Sequence, residues 1–97
     1  MSARQLLTKA LHILDRGDPA RGEAVLREAV AQARDAGDAV TVVAGLCCLG
    51  ELLAAQGRRP EAVDTLRACL AAQLPEEMAE VCDAERSRAR EILARLG

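Results

Sequence analysis

Apolar residues recur every three or four positions along most of the chain, which is the spacing of amphipathic helices. Short polar segments separate these stretches, and a single glycine closes each of the first three, at Gly17, Gly37 and Gly57. A left-handed glycine commonly ends a helix. Because the linking segments span only a few residues, neighbouring helices are expected to be antiparallel.

The predicted helix starts carry their own signals. Ser2 and Gln5 have the spacing of a capping box. Asp18 and Asp38 are good N-caps, and the three prolines suit a first helical turn. The pattern therefore predicts five helices, at residues 3–16, 19–36, 39–56, 60–73 and 76–96.

One segment favours a strand when it is taken alone, because Val40 to Val43 are all β-branched. Asp38 before it and the helical spacing of Leu46, Leu49 and Leu53 after it favour a helix instead. The chain has no Phe, Tyr or Trp and is rich in the strong helix formers Ala and Leu. We therefore predict an all-α protein.

The first half of the chain matches the second half when it is shifted by 40 residues. Large residues coincide with large ones and small with small, as in Leu6 with Leu46, Ala10 with Gly50, Ile13 with Leu53, Gly22 with Ala62 and Leu26 with Leu66. A fixed period of this kind indicates stacked supersecondary units. Glycine inside a helix costs about 0.5–1 kcal/mol relative to alanine, so Gly22 and Gly50 are expected at close helix crossings.

The second copy resembles a tetratricopeptide repeat. The residues that carry this resemblance are Leu46, Leu49, Gly50 and Leu53, followed by Gly57, Ala62, Leu66, Cys69, Leu70 and Pro75. The resemblance covers residues 3–75 and is degenerate in the first copy, where Lys9 replaces Leu49. It implies one domain, 1–97, built as a short α-solenoid with repeats at 3–37 and 38–74.

Residues 75–97 are predicted to form a capping helix, because a repeat array needs a terminal element with a polar outer face. Its expected apolar stripe comprises Met78, Val81, Cys82, Ala89, Ile92, Leu93 and Leu96.

The resemblance also implies a groove lined by the first helix of each hairpin. Its lining residues are Arg4, Leu7, Leu11, Leu14 and Asp15 in the first hairpin, and Ala44, Cys47, Cys48, Glu51, Ala54 and Ala55 in the second. Leu7, Leu11 and Leu14 lie on a face distinct from that of Leu6, Ala10 and Ile13. This face is either a binding groove or the ordinary core of a small bundle.

Composition argues against several function classes. The net charge is −2, acidic and basic residues are mixed, and no aromatic side chain is present to stack on a base. Nucleic acid is therefore not an expected partner. No apolar run approaches the ~20 residues of a membrane span, and the N-terminus lacks a secretory pattern, so a cytoplasmic protein with reduced thiols is expected.

No metal, cofactor or catalytic site is expected either. Cys47 and Cys48 are adjacent on a helix and point about 100° apart, so they cannot clasp one ion. Cys69 and Cys82 suit small core positions, and His12 suits the surface. Nothing in the chain combines a nucleophile with a base and an oxyanion site, so we do not expect an enzyme.

The sequence thus predicts a small scaffold that binds a protein or peptide partner. Two alternatives remain. One is a homodimer formed through the face of Leu7, Leu11 and Leu14, and the other is a thiol-based metal or redox protein.

Overall fold

Five α-helices and one short 3-10 turn account for most of the chain, and no strand is present. The computed structural model describes all 97 residues. The elements are α1 (Ala3–Asp15), α2 (Pro19–Ala36), α3 (Ala39–Ala55), α4 (Arg59–Ala71), a 3-10 turn (Glu76–Met78) and α5 (Asp83–Leu96). The predicted all-α class and the first four helices are confirmed, and the β-branched segment lies inside α3.

The helix starts use the side chains that the sequence indicated. Ser2 Oγ accepts the Gln5 N–H at 3.1 Å, and Gln5 Oε1 accepts the Ser2 N–H at 2.8 Å. The carboxylates of Asp18 and Asp38 each accept the N–H three residues further on. These bonds satisfy amides that have no partner within the helix.

Glycine closes the three turns between the first four helices. Gly17, Gly37 and Gly57 have φ values of +83°, +70° and +73°, a region that other residues rarely adopt. The turns recur every 20 residues. Each turn reverses the chain, so that α1 pairs with α2 and α3 pairs with α4.

Helix α3 joins the two hairpins. It packs against α2 on one side and α4 on the other, and α5 packs against both α3 and α4. One core cluster lies mainly between α1, α2 and α3, and includes the fully buried Leu26 and Leu53. The other lies mainly between α2, α3, α4 and α5, and includes Val43 and Leu66. Both clusters contain residues of α3.

Three helical glycines mark close approaches between helices. A Cβ on Gly50 of α3 would lie 2.5 Å from Leu66 Cγ of α4, and one on Gly22 of α2 would lie 2.6 Å from Leu14 Cγ of α1. These are the two glycines that the sequence placed at crossings. The third is Gly45 of α3. A Cβ on Gly45 would lie 2.7 Å from Val30 Cγ2, so α2 packs closely against α3 at this position.

The predicted last helix was wrong in its first part. Residues 72–82, here called the connector, leave the α-helical path, and α5 begins only at Asp83. Met78 and Val81 are exposed, so the buried part of the predicted stripe starts at Cys82, just before α5, and continues through Ala89 and Ile92 of α5.

Tertiary packing explains the late start of α5. Residues 76–81 are all exposed, so burial of Met78 or Val81 does not hold this segment in an α-helix. Cys82, by contrast, is buried in the second cluster. The Arg86 side chain also donates a hydrogen bond to the Ala72 carbonyl, which ties the first turn of α5 to the end of α4.

The glycine crossings can be compared by one matched pair of substitutions. Gly50→Ala should destabilise the fold, because Leu66 is fully buried and cannot move aside; overpacking costs about 1–3 kcal/mol. The roughly 1 kcal/mol of helix propensity that alanine gains offsets only part of this. Gly22→Ala should cause no net loss, since Leu14 is half-buried and can rotate away. Urea unfolding measures both, and equal effects would contradict the Leu66 explanation.

Candidate functional site

The outer face of α1 carries an apolar stripe beyond the core. Leu6, Ala10 and Ile13 are buried, as predicted, whereas Leu7 is half-buried and Leu11 is 41% exposed. Arg4 lies one turn before Leu7 and is exposed, as is Asp15 at the other end of the helix. The predicted groove residues of α1 therefore include an accessible apolar surface.

Leu14 has a different role from Leu11. Its side chain covers Gly22 and is half-buried there, so it contributes to the contact between α1 and α2. The accessible part of the stripe is centred on Leu11, and Leu14 lies at its border.

Cys47, which was predicted to line the groove, is buried. Its side chain is buried because α5 covers this face of α3, and its Sγ donates to the Glu85 carbonyl oxygen at 3.4 Å. No pattern in the sequence indicates that α5 folds over α3.

The C-terminal half of α3 retains an open surface. Glu51 forms an ion pair with Arg88 at 2.8 Å, Ala55 is exposed and Ala44, near the other end, is half-buried. A shallow cavity of about 290 Å³ separates α3 from α5; its lining residues are Glu51, Ala54, Ala55, Arg88, Ile92, Arg95 and Leu96. This cavity thus has α3 as one wall and α5 as the other.

Sequence reasoning missed the four residues of α5 that line this cavity, which are Arg88, Ile92, Arg95 and Leu96. Arg88 and Arg95 are seven residues apart and Leu96 follows, so they share one side of a helix. The spacing of these residues can be seen in the sequence, but the sequence does not indicate that they face α3. Leu96 of α5, Leu7 of α1 and Cys48 of α3 all pack against the same core cluster. The cavity beside α5 and the apolar stripe on α1 therefore border the same part of the core.

Four charged side chains connect the two hairpins. The guanidinium of Arg58 donates to Glu23 Oε1 at 2.5 Å and to Glu61 Oε2 at 2.8 Å, and Arg27 also bonds Glu23 at 3.0 Å. The hydrogen bond from Arg58 holds the pKa of Glu23 below its ordinary value. These charges satisfy one another, so the network holds α2 against the start of α4.

The cysteines are packed into the core. Cys47, Cys69 and Cys82 are buried, and Cys69 Sγ donates to the Val43 carbonyl at 3.5 Å. Burial raises the pKa of the Cys47 thiol to about 12 and raises the pKa of the other three thiols as well. Since the thiolate is the reactive form, these thiols are poor nucleophiles. No group of three or more His, Cys, Asp or Glu side chains is placed to hold a metal ion.

A second cleft lies at the opposite end of the hairpins from the charged network. It has a volume of about 580 Å³ and is formed where the connector returns beside the end of α2 and the start of α3. We call it the connector cleft; its lining residues are Ala33, Arg34, Gly37, Ala39, Val42, Ala72, Gln73, Leu74 and Pro75. Sequence reasoning missed it, because it depends on the path of the connector.

Comparison with known proteins gives no relative: no protein-family model, no curated protein and no solved structure matches the chain. None of its helices combines the length and the apolar character that crossing a bilayer requires.

The buried Cys47 thiol should make the fold sensitive to alkali. Above its ordinary pKa of 9.0 the unfolded chain loses this proton while the folded chain keeps it up to about 12, so stability should fall as pH rises through that window. Urea unfolding at a series of alkaline pH values measures the slope. Cys47→Ala should give a shallower slope, and an unchanged slope would show that this thiol is not responsible.

Proposed function

We propose that the chain is a small tetratricopeptide-like scaffold that binds a peptide or a helix of a partner protein. The binding surface runs from the stripe on α1 to the cavity between α3 and α5. The observation that carries the proposal is the exposure of Leu11 beside the half-buried Leu7. These residues lie on a different face of α1 from the buried residues that pack in the core.

The repeat interpretation draws support from the way the hairpins pack. In the second hairpin, Gly50 lies against Leu66. The equivalent residues of the first hairpin, Ala10 and Leu26, are both completely buried. Lys9, which takes the place of Leu49, is exposed on α1, whereas Leu49 is buried in α3. Helix α5 packs on α3 and α4 in the manner of a following unit and serves as the cap.

The groove suits a short amphipathic segment. Its apolar contacts are Leu7, Leu11, Ala55 and Leu96, while its polar groups are Arg4, Glu51, Arg88 and Arg95. A partner helix commonly anchors apolar residues of one face in such a groove. Central apolar anchors usually supply most of the affinity, and polar groups around them set orientation.

Self-association through α1 is the second candidate. An exposed apolar stripe can pair with its own copy across a two-fold axis, and Leu11 would then lie at the centre of that contact. The thiol-based alternative gains no support, because burial raises the pKa of all four thiols. The proposed function includes no catalytic step.

Leu11→Glu tests the groove. Peptides selected from a displayed random library against the wild-type chain should bind the variant at least about tenfold more weakly, because a charge enters a desolvated contact. Far-UV circular dichroism should remain unchanged, since Leu11 is partly exposed. Fluorescence anisotropy with labelled peptides measures binding.

His12→Glu is the matched control. It adds the same charge on the next residue of α1, which lies on another surface beside Lys9 and Arg16, and it should leave binding intact. If Leu11→Glu unfolds the monomer, Leu11 belongs to the core. If the variant folds and binds all selected peptides normally, the binding surface lies elsewhere.

A further inference from the structure

The connector exposes an apolar stripe that no part of the chain covers. The Met78 N–H donates to the Pro75 carbonyl at 2.8 Å, and the Val81 N–H donates to the Met78 carbonyl at 3.1 Å. Side chains three residues apart are eclipsed in such 3-10 turns. Pro75, Met78 and Val81 therefore follow one line, with Met78 41% and Val81 56% exposed.

Carboxylates flank this stripe. Glu76, Glu77 and Glu80 are exposed, and all the ion pairs within the chain involve other residues. The connector thus presents an apolar line bordered by negative charges that have no partner in the chain. Exposed large apolar side chains grouped in this way are typical of interaction sites.

The connector cleft has the complementary character. Its apolar lining includes Ala33, Val42 and Leu74, and its volume of about 580 Å³ leaves room for apolar side chains. Arg34 lies at its edge, is exposed and forms no ion pair within the chain. A positive charge therefore borders the apolar cleft, whereas negative charges border the apolar stripe of the connector.

We propose that the connector of one copy docks into the connector cleft of a second copy, which gives a two-fold symmetric dimer. Pro75 lines the cleft and also begins the stripe, so the two surfaces adjoin on one side of the molecule. A two-fold rotation can then place each stripe over the cleft of the other copy, since such an interface uses the same patch twice.

Charge and flexibility both favour this arrangement. Glu77 and Glu80 of each copy approach Arg34 of the other, which sets the register of the contact. Methionine adapts to irregular apolar surfaces, so Met78 can enter the cleft without a preformed pocket of its own shape. The surface is separate from the groove on α1, so the dimer does not depend on the proposed peptide binding.

The dimer is weak, because a connector and a shallow cleft bury less surface than a standard interface. Light scattering after size exclusion, together with sedimentation velocity over a range of concentrations, should show the mass rising from 10.3 kDa towards twice that value. A chain that stays monomeric up to millimolar concentration overturns the proposal.

Met78→Glu and Leu11→Glu form a matched pair. Both replace an apolar side chain that is 41% exposed with a carboxylate, and neither should change the circular dichroism spectrum. Met78→Glu should weaken dimerisation by about tenfold or more, whereas Leu11→Glu should leave it unchanged. The reverse result would place self-association on α1 and overturn the proposal.

A charge exchange tests the register. Arg34→Glu should weaken the dimer, and adding Glu77→Arg to it should restore much of the lost affinity, because opposite charges again meet across the interface. Restoration supports direct contact between these residues of two copies. If the double variant is as weak as Arg34→Glu alone, the proposed register is wrong.

Discussion

The fold depends on how closely other helices approach α3. Nine of its residues are buried and every other helix contacts it. Gly45 and Gly50 present backbone to Val30 of α2 and Leu66 of α4. Because no aromatic side chain fills space in this core, many short contacts between aliphatic groups must supply the dispersion energy. The positions without a Cβ make those contacts possible.

The local structure could be predicted because its causes are local. The Ser2–Gln5 capping box, the Asp38 cap and the left-handed Gly37 need no distant partner, and each lies where the sequence placed it. Gly50 could be placed at a crossing because the repeat puts a small residue, Ala10, at the equivalent position. Helix crossings could therefore be predicted from the sequence at positions where the repeat places small residues in both copies.

The path of the connector and the position of α5 could not be predicted, because distant contacts determine them. Met78 and Val81 continue the helical spacing of residues 82–96, so no local signal separates them from the helix. Burial of Cys82 and the bond from Arg86 to the Ala72 carbonyl decide where α5 begins. Because α5 packs on α3, Cys47 is covered, and the accessible part of this face of α3 lies near Ala55.

The absence of aromatic residues also gives the molecule unusual optical properties. With no tryptophan or tyrosine, the folded chain has no intrinsic near-ultraviolet fluorescence and almost no absorbance at the wavelengths used to quantify most proteins. One tryptophan introduced by substitution would be the sole emitter. At Leu11 it would report only on the surface of α1, and at Met78 only on the connector, so that each surface can be observed without background from the rest of the protein.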